Sequence, residues 1–212
     1  MVNLIANSGF EQDPITVEQD GFWFLNIWGT GTVVPAQPFS IETADVYEGA
    51  RAIRCHVESI LEGYFQFVVG SFKVSATALV PGQEFQLRLA YKSTVPLTLT
   101  VQGSLAGTSN LSQSIDLPAS TVWTLSPWLT FTIPTEGLDW FQFYVLSNNQ
   151  IGDYLVDAFE LTSTVAPITH IVTLDSSPTG VAYTSPIGVA PFTVNVDDGT
   201  SLAVQVPSEI EV

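Results

Sequence analysis

An all-β fold, a jelly-roll β-sandwich followed by a small antiparallel β domain, is what this 212-residue sequence predicts. Three observations carry that expectation. Hydrophobic residues make up 46% of the chain and charged residues 12%, a balance that suits many half-buried strands. The apolar positions alternate with period two, not with the 3.6-residue rhythm of helices. Short runs of this kind recur about every ten residues with Gly or Pro between them, the spacing of a sandwich.

The clearest strand is Glu84 to Lys92, with Phe85, Leu87, Leu89 and Tyr91 on one face and Glu84, Gln86, Arg88 and Lys92 on the other. Before it come Asn3 to Glu11, Phe39 to Glu42, Ala50 to Glu58, Tyr64 to Val69 and Phe72 to Ala78. The large aromatics Phe22, Trp23, Phe24 and Trp28 either plug one end of the sandwich or line a site. After it come Thr98 to Gln102 and Ser114 to Leu117, around a Ser/Thr/Gly/Asn-rich loop at Gly103 to Asn110, and then Trp128 to Ile133. The first domain is expected over residues 1–163. Val165-Ala166-Pro167 reads as a linker, and 168–212 as a small β domain with strands at Ile168 to Leu174, Val181 to Thr184, Phe192 to Val196 and Leu202 to Val206.

The stretch Leu138 to Leu161 holds the features that bear on function. It reads as two antiparallel strands joined by a turn through Asn148, Asn149 and Gly152. Phe141, Phe143 and Val145 share the core face, and Trp140, Gln142 and Tyr144 share the other. A mixed aromatic and amide row is unusual for a solvent face and ordinary for a ligand face. In the second strand Asp157 falls on the same row as Leu155, Phe159 and Leu161, so this inward carboxylate needs a partner.

Charge and motifs exclude several classes. Five Lys and Arg against 21 Asp and Glu give a net charge of −16, which repels phosphate backbones and anionic lipid, so nucleic acid is not an expected partner. No apolar run is long enough to span a bilayer, and no membrane insertion is expected. The single cysteine, Cys55, alternates with Ile53 and Val57 as a core thiol. The histidines, His56 and His170, lie on different predicted domains. Nucleophile-elbow, zinc-protease and phosphate-loop motifs are missing, so the chain does not read as an enzyme. The N-terminal residues show no secretory signal pattern.

The opening Asn3-Leu4-Ile5-Ala6-Asn7-Ser8-Gly9-Phe10-Glu11 resembles that of jelly-roll carbohydrate-binding modules of the galactose-binding-like superfamily, the type attached to xylanases and glucanases. Tyr47 to Arg54, Trp123 to Pro134 and Tyr154 to Leu161 continue the resemblance over about three quarters of the chain. The tail is similar to PEGA-type repeats through Ser176 to Val181, Pro191 to Val194 and Asp198 to Thr200. The family resemblance implies a structural Ca²⁺ held by Glu11, Glu48, the Arg51 carbonyl and Asp157. The alternative for Asp157 is capping by backbone N–H groups or by Arg51. It also implies a concave glycan-binding face, for which alternation nominates Tyr64, Gln66, Gln86, Arg88, Trp140, Gln142 and Tyr144. That face is otherwise expected to be covered by a domain, a loop or another subunit. Two functions follow as expectations, both extracellular or at a virion surface. One is a non-catalytic module that binds polysaccharide or surface glycan. The other is a decoration or building-block protein of a homo-oligomeric, capsid or fibre assembly.

Overall fold

The computed structural model describes residues 3–5, 8–11, 23–71, 79–164, 169–174, 182–183, 188–189 and 192–197. The expected strands at 72–78 and 202–206, and the linker at 165–167, lie outside them. The chain divides into two compact units, Met1–Thr164 and Val165–Val212. Among the described residues every regular element is a strand.

In the first unit the strands are β1 (Phe24–Val34), β2 (Phe39–Glu42), β3 (Ala52–Val57), β4 (Ser59–Ser71), β5 (Glu84–Ser93), β6 (Leu97–Leu105), β7 (Thr108–Leu117), β8 (Ser120–Leu125), β9 (Leu129–Thr132), β10 (Trp140–Asn148) and β11 (Gly152–Ser163). They form two antiparallel sheets. One has the order β1-β4-β10-β6-β7; the other has the order β2-β3-β11-β5-β8, with β9 also paired to β5. Alternate residues of both sheets meet in one core, which includes Phe67, Phe85, Leu87, Leu99, Phe143, Val156 and Phe159. Trp23 and Phe10 close it through ring contacts with Phe159. This arrangement buries large apolar surface from both inner faces, the main stabilising term in a sandwich. The N-terminal residues join it: the Leu4 N–H donates to the Leu161 carbonyl, and the Asn3 amide bridges Phe159 and Leu161.

Three local expectations need correction. The strands flanking Asn148 to Gly152 are not a hairpin, because β10 belongs to the five-stranded sheet and β11 to the six-stranded one; the connection is an arch over the core. Residues 103–110 are not a loop. β6 and β7 form a hairpin turning at Ala106 and Gly107, both with positive φ, as a two-residue primed turn requires. Finally, Asp157 does not share a row with Phe159. A register break lies between Asp157 and Glu160 in the β11–β5 pairing, and Ala158 has φ 47°. The extra residue sends Tyr154 and Val156 inward before the break and Phe159 and Leu161 inward after it.

The second unit contains β12 (Thr169–Leu174) paired antiparallel with β15 (Phe192–Asp197), and β13 (Ala182–Tyr183) paired with β14 (Gly188–Val189).

Candidate functional site

The outer face of the five-stranded sheet is built by the residues that alternate with the core. Along β10 the row is Trp140, Gln142, Tyr144, Leu146 and Asn148, with Phe141, Phe143 and Val145 pointing the other way into the core. Pairing extends these positions sideways. Phe24, Gly70, Tyr144, Thr100 and Ser114 form one line across all five strands. Trp28, Gln66 and Asn148 form another, and Thr30 and Tyr64 a third.

An apolar cluster sits in the middle of this face. Phe24, Val68, Tyr144 and Leu146 are buried together and Trp28 packs against them. Trp28 lies nearly parallel to Phe24 and edge-on to Tyr144. Gly70 makes this possible: a Cβ there would stand 2.5 Å from the Phe24 ring and 2.6 Å from Tyr144 Cβ. Burial pushes the Tyr144 phenol above its ordinary pKa, while hydrogen bonds with Thr100 and Gln102 oppose the shift.

Polar groups surround the cluster. The Tyr64 hydroxyl and Gln66 Nε2 both donate to Asn148 Oδ1, at 3.2 and 2.8 Å. On the far side Gln142 Nε2 donates to Gln102 Oε1 at 2.9 Å, and Thr100 Oγ1 donates to Ser114 Oγ at 3.1 Å. These bonds fix the rotamers of amides and hydroxyls while leaving each with unused donor or acceptor capacity.

Of the sequence-nominated residues, Tyr64, Gln66, Trp140, Gln142 and Tyr144 share this face. Tyr64 is 55% exposed and Trp140 39%, but Gln142 and Tyr144 are each only 5% exposed. Gln142 and Tyr144 therefore support the face from within. Gln86 and Arg88 are elsewhere, because β5 belongs to the other sheet. Gln86 donates to the Thr130 hydroxyl, and Arg88 forks onto Glu160 at 2.9–3.1 Å with its guanidinium 4.2 Å from the Trp128 ring. Alternation told inward from outward correctly on β5 but carries no information on which sheet a strand joins. Sequence reasoning passed over Asn148, taken as a turn residue, and left Trp28 undecided. Both fall on the even-numbered rows of β10 and β1, so extending each row would have found them.

The residues nominated for Ca²⁺ meet at the turn over residues 47–51. Asp157 is fully buried. Its Oδ2 accepts from the Tyr47 and Glu48 N–H groups at 3.0 and 3.1 Å, and its Oδ1 from the Ala158 N–H at 2.7 Å. Glu11 Oε1 accepts from the Ala50 and Arg51 N–H groups at 2.8 and 3.3 Å. Both carboxylates flank Gly9, whose Cβ would lie 3.6 Å from Asp157 Oδ1 and 3.8 Å from Glu11 Oε1. Gly49, at φ +66°, leaves room for Glu11, which a Cβ would strike at 2.0 Å. Burial, reinforced by the nearby Glu48 charge and opposed by the three N–H bonds, pushes the Asp157 carboxyl up to about 6. Asp157, fully buried, and Glu11 both approach Gly9, and carboxylate oxygens are the donors that Ca²⁺ takes, so these two residues could hold such an ion with carbonyls or water completing the shell. Among the described residues no group of three or more His, Cys, Asp or Glu is arranged to hold a metal.

Cys55 is buried beside Tyr154 and its thiol is pushed up to about 12 by desolvation, which makes it a packing residue and not a nucleophile.

No family model and no curated protein matches the sequence. Solved structures do. The chain is similar to the enzymatically active domain of tailspike protein 4 of bacteriophage CBA120, at 16% identity and a TM-score of 0.56, over 76% of this chain and 21% of that one. It thus spans about a fifth of the tailspike domain's length. It is also similar to a family 16 carbohydrate-binding module, at 18% identity and a TM-score of 0.51, over 76% of this chain and 99% of the module. A family 61 module solved with β-1,4-galactotriose follows at 14% identity and a TM-score of 0.49, over 77% of this chain and 99% of that one. At such identities the likeness is one of fold. Over about three quarters of its length this chain shares the jelly-roll β-sandwich fold of the family 16 carbohydrate-binding module.

Proposed function

We propose that the first unit is a non-catalytic recognition module that binds a neutral glycan across the outer face of its five-stranded sheet. The observation that carries this reading is the combination, on one face, of aromatic rings with amides already held in place: the exposed Tyr64 and Trp140 and the partly buried Trp28 with Gln66, Asn148, Gln102 and Gln142. Flat rings match the CH face of a pyranose, and amides match its hydroxyls in both donor and acceptor roles. From Trp140 to Asn148 the row on β10 runs about 26 Å at roughly 3.3 Å per residue, room for a chain of several sugars. None of the five strands of this sheet contains Lys or Arg, so the strands offer no positive charge to an acidic polysaccharide. The polar groups between the rings are amides and hydroxyls, which do not exchange protons at neutral pH and so suit binding more than acid–base chemistry.

The test is electrophoresis of the protein through gels containing soluble xylan or β-glucan. The parent should be retarded, and Trp28→Ala with Tyr64→Ala should run as in sugar-free gel while still melting cooperatively. A second reading is favoured by the apolar cluster of Phe24, Val68, Tyr144 and Leu146 outside the core, and by the similar fold within a phage tailspike domain. In it the module is a building block of a virion or other surface assembly. The same variants would then dissociate an oligomer in a solution mass measurement.

We also propose that Glu11 and Asp157 hold a structural Ca²⁺. A cation that binds only the folded chain raises its melting temperature. A chelator should lower the melting temperature, Ca²⁺ should restore it, and Asp157→Ala should remove the response.

A further inference from the structure

The outer face of the six-stranded sheet carries a second feature, unlike the aromatic face. A pocket of about 250 Å³ opens there, lined by Glu42, Asp45, Arg54, Lys92, Thr121 and Asp153 among others. Its charges are paired, and the pairing leaves specific valences unspent. Asp153 Oδ1 accepts from Arg54 Nε and Nη2 at 3.0 and 2.8 Å and also contacts His56 Nδ1 at 2.8 Å, whereas these bonds leave Oδ2 untouched. Arg54 Nη1 stands 3.7 Å from Glu42 Oε2, too far for a hydrogen bond. Lys92 Nζ donates to Asp45 Oδ2 at 2.5 Å, which engages one of its three protons. The Trp123 indole N–H donates to Asp45 Oδ1 at 2.8 Å, and the exposed ring of Tyr47 lies 5.9 Å from the Trp123 ring.

We propose that this pocket is a second binding site, for a single neutral sugar residue such as a chain end. The pairs hold donors and acceptors at fixed positions side by side, so a vicinal diol can accept from Arg54 Nη1 or Lys92 Nζ and donate to Asp153 Oδ2 or Glu42 Oε2. Charge-assisted bonds of this kind are stronger than those between neutral groups. Three carboxylates against two cations leave no net positive charge to draw an anion. The volume lies below the roughly 300 Å³ at which pockets begin to hold drug-sized ligands, so one ring fits and an oligosaccharide does not. Leu155 in the lining gives the ring an apolar surface to rest on.

The test is a titration of the full chain with the methyl glycosides of glucose, galactose, mannose and xylose, followed by NMR at the Trp123 indole N–H and the Arg54 Nε–H. At least one sugar should move both signals saturably. Lys92→Met should weaken that response on the order of tenfold, the worth of one charge-assisted hydrogen bond. Tyr64→Ala, on the opposite face, should leave it unchanged. If Lys92→Met fails to fold, Glu42→Gln, which neutralises one of the acceptors offered to the diol, replaces it with the same expected loss. Signals that stay still with all four sugars, or a response that survives in the pocket variant and disappears in Tyr64→Ala, would overturn the assignment.

Discussion

The two outer faces of this sandwich are made by the same alternation of residues and are chemically opposite. The five-stranded sheet turns out aromatic rings, amides and hydroxyls, with no Lys or Arg in its strands. The six-stranded sheet turns out ion pairs: Arg54 with Asp153, Lys92 with Asp45, and Arg88 with Glu160. Those are three of the five cations in a chain of net charge −16. Uncharged polar groups and flat rings shed water cheaply, so the first face can receive a broad ligand at little desolvation cost. Paired charges keep their water outside close contacts, so the second face can act locally, in one pocket. The fold sets which residues face outward; the composition of each row sets what the face can do.

The sharpest test of the comparison uses neighbours on β10. Phe143→Ala, which empties the core contacts with Trp23 and Phe159, should cost about 3–5 kcal/mol in denaturant melts. Tyr144→Ala should cost less, about 2–3 kcal/mol, because its cluster is smaller. It should still be clearly destabilising, so the outer face has a core of its own.

The carboxylates divide in the same way, and pH separates them. Asp157 moves from an ordinary 3.8 to about 6 in the folded chain, with burial as the main cause. The folded state therefore binds its proton more tightly than the unfolded state. Its stabilising contribution is complete below about 3.8 and is lost as pH rises through about 6. Asp45 and Asp153 are shifted the other way: the Lys92 and Trp123 hydrogen bonds lower Asp45, and the Arg54 and His56 bonds outweigh burial at Asp153. Their contribution is present above the ordinary 3.8 and fades as pH falls through their lower folded values. Chelator-treated protein should thus lose stability between about pH 4 and 6 on account of Asp157. Asp157→Asn should flatten that slope, as measured by melting across the range.

Smaller effects are expected from the ion pairs and the exposed ring. Arg88→Met should change stability by about 1 kcal/mol or less, as partly exposed pairs do. Trp140→Ala should change it by less than about 1 kcal/mol while reducing glycan retention several-fold.

Much of this architecture was legible in the sequence, because a strand's period of two is a local property. On β10 the inward set Phe141, Phe143, Val145 and the outward set Trp140, Gln142, Tyr144 were assigned correctly. What the residues could not reveal was non-local. Gln86 and Arg88 face outward as read, but on the other sheet, since sheet membership depends on pairing between distant strands. The bulge at Asp157 hid in a smooth alternation and displaced Leu155 to the outer side, where it lines the polar pocket. The exposed Ser, Thr and Asn of β7 imitated a loop, although Gly107 was a visible turn signal. Burial of Tyr144 depends on Phe24 and Gly70 beside it, and that of Gln142 on Gln102, residues remote in sequence from both.

The proposed glycan site is the amide and aromatic face of the five-stranded sheet. The most direct measurement is an NMR titration of the intact chain with xylo- or gluco-oligosaccharides, read at the side-chain amides of Gln66, Gln102, Gln142 and Asn148 and at the Trp28 indole. Saturable shifts are expected at Gln66, Asn148 and Trp28, and they should vanish in Tyr64→Ala with Trp28→Ala, read there at the amides. Oligosaccharides that bind the protein yet leave these signals in place would contradict that site.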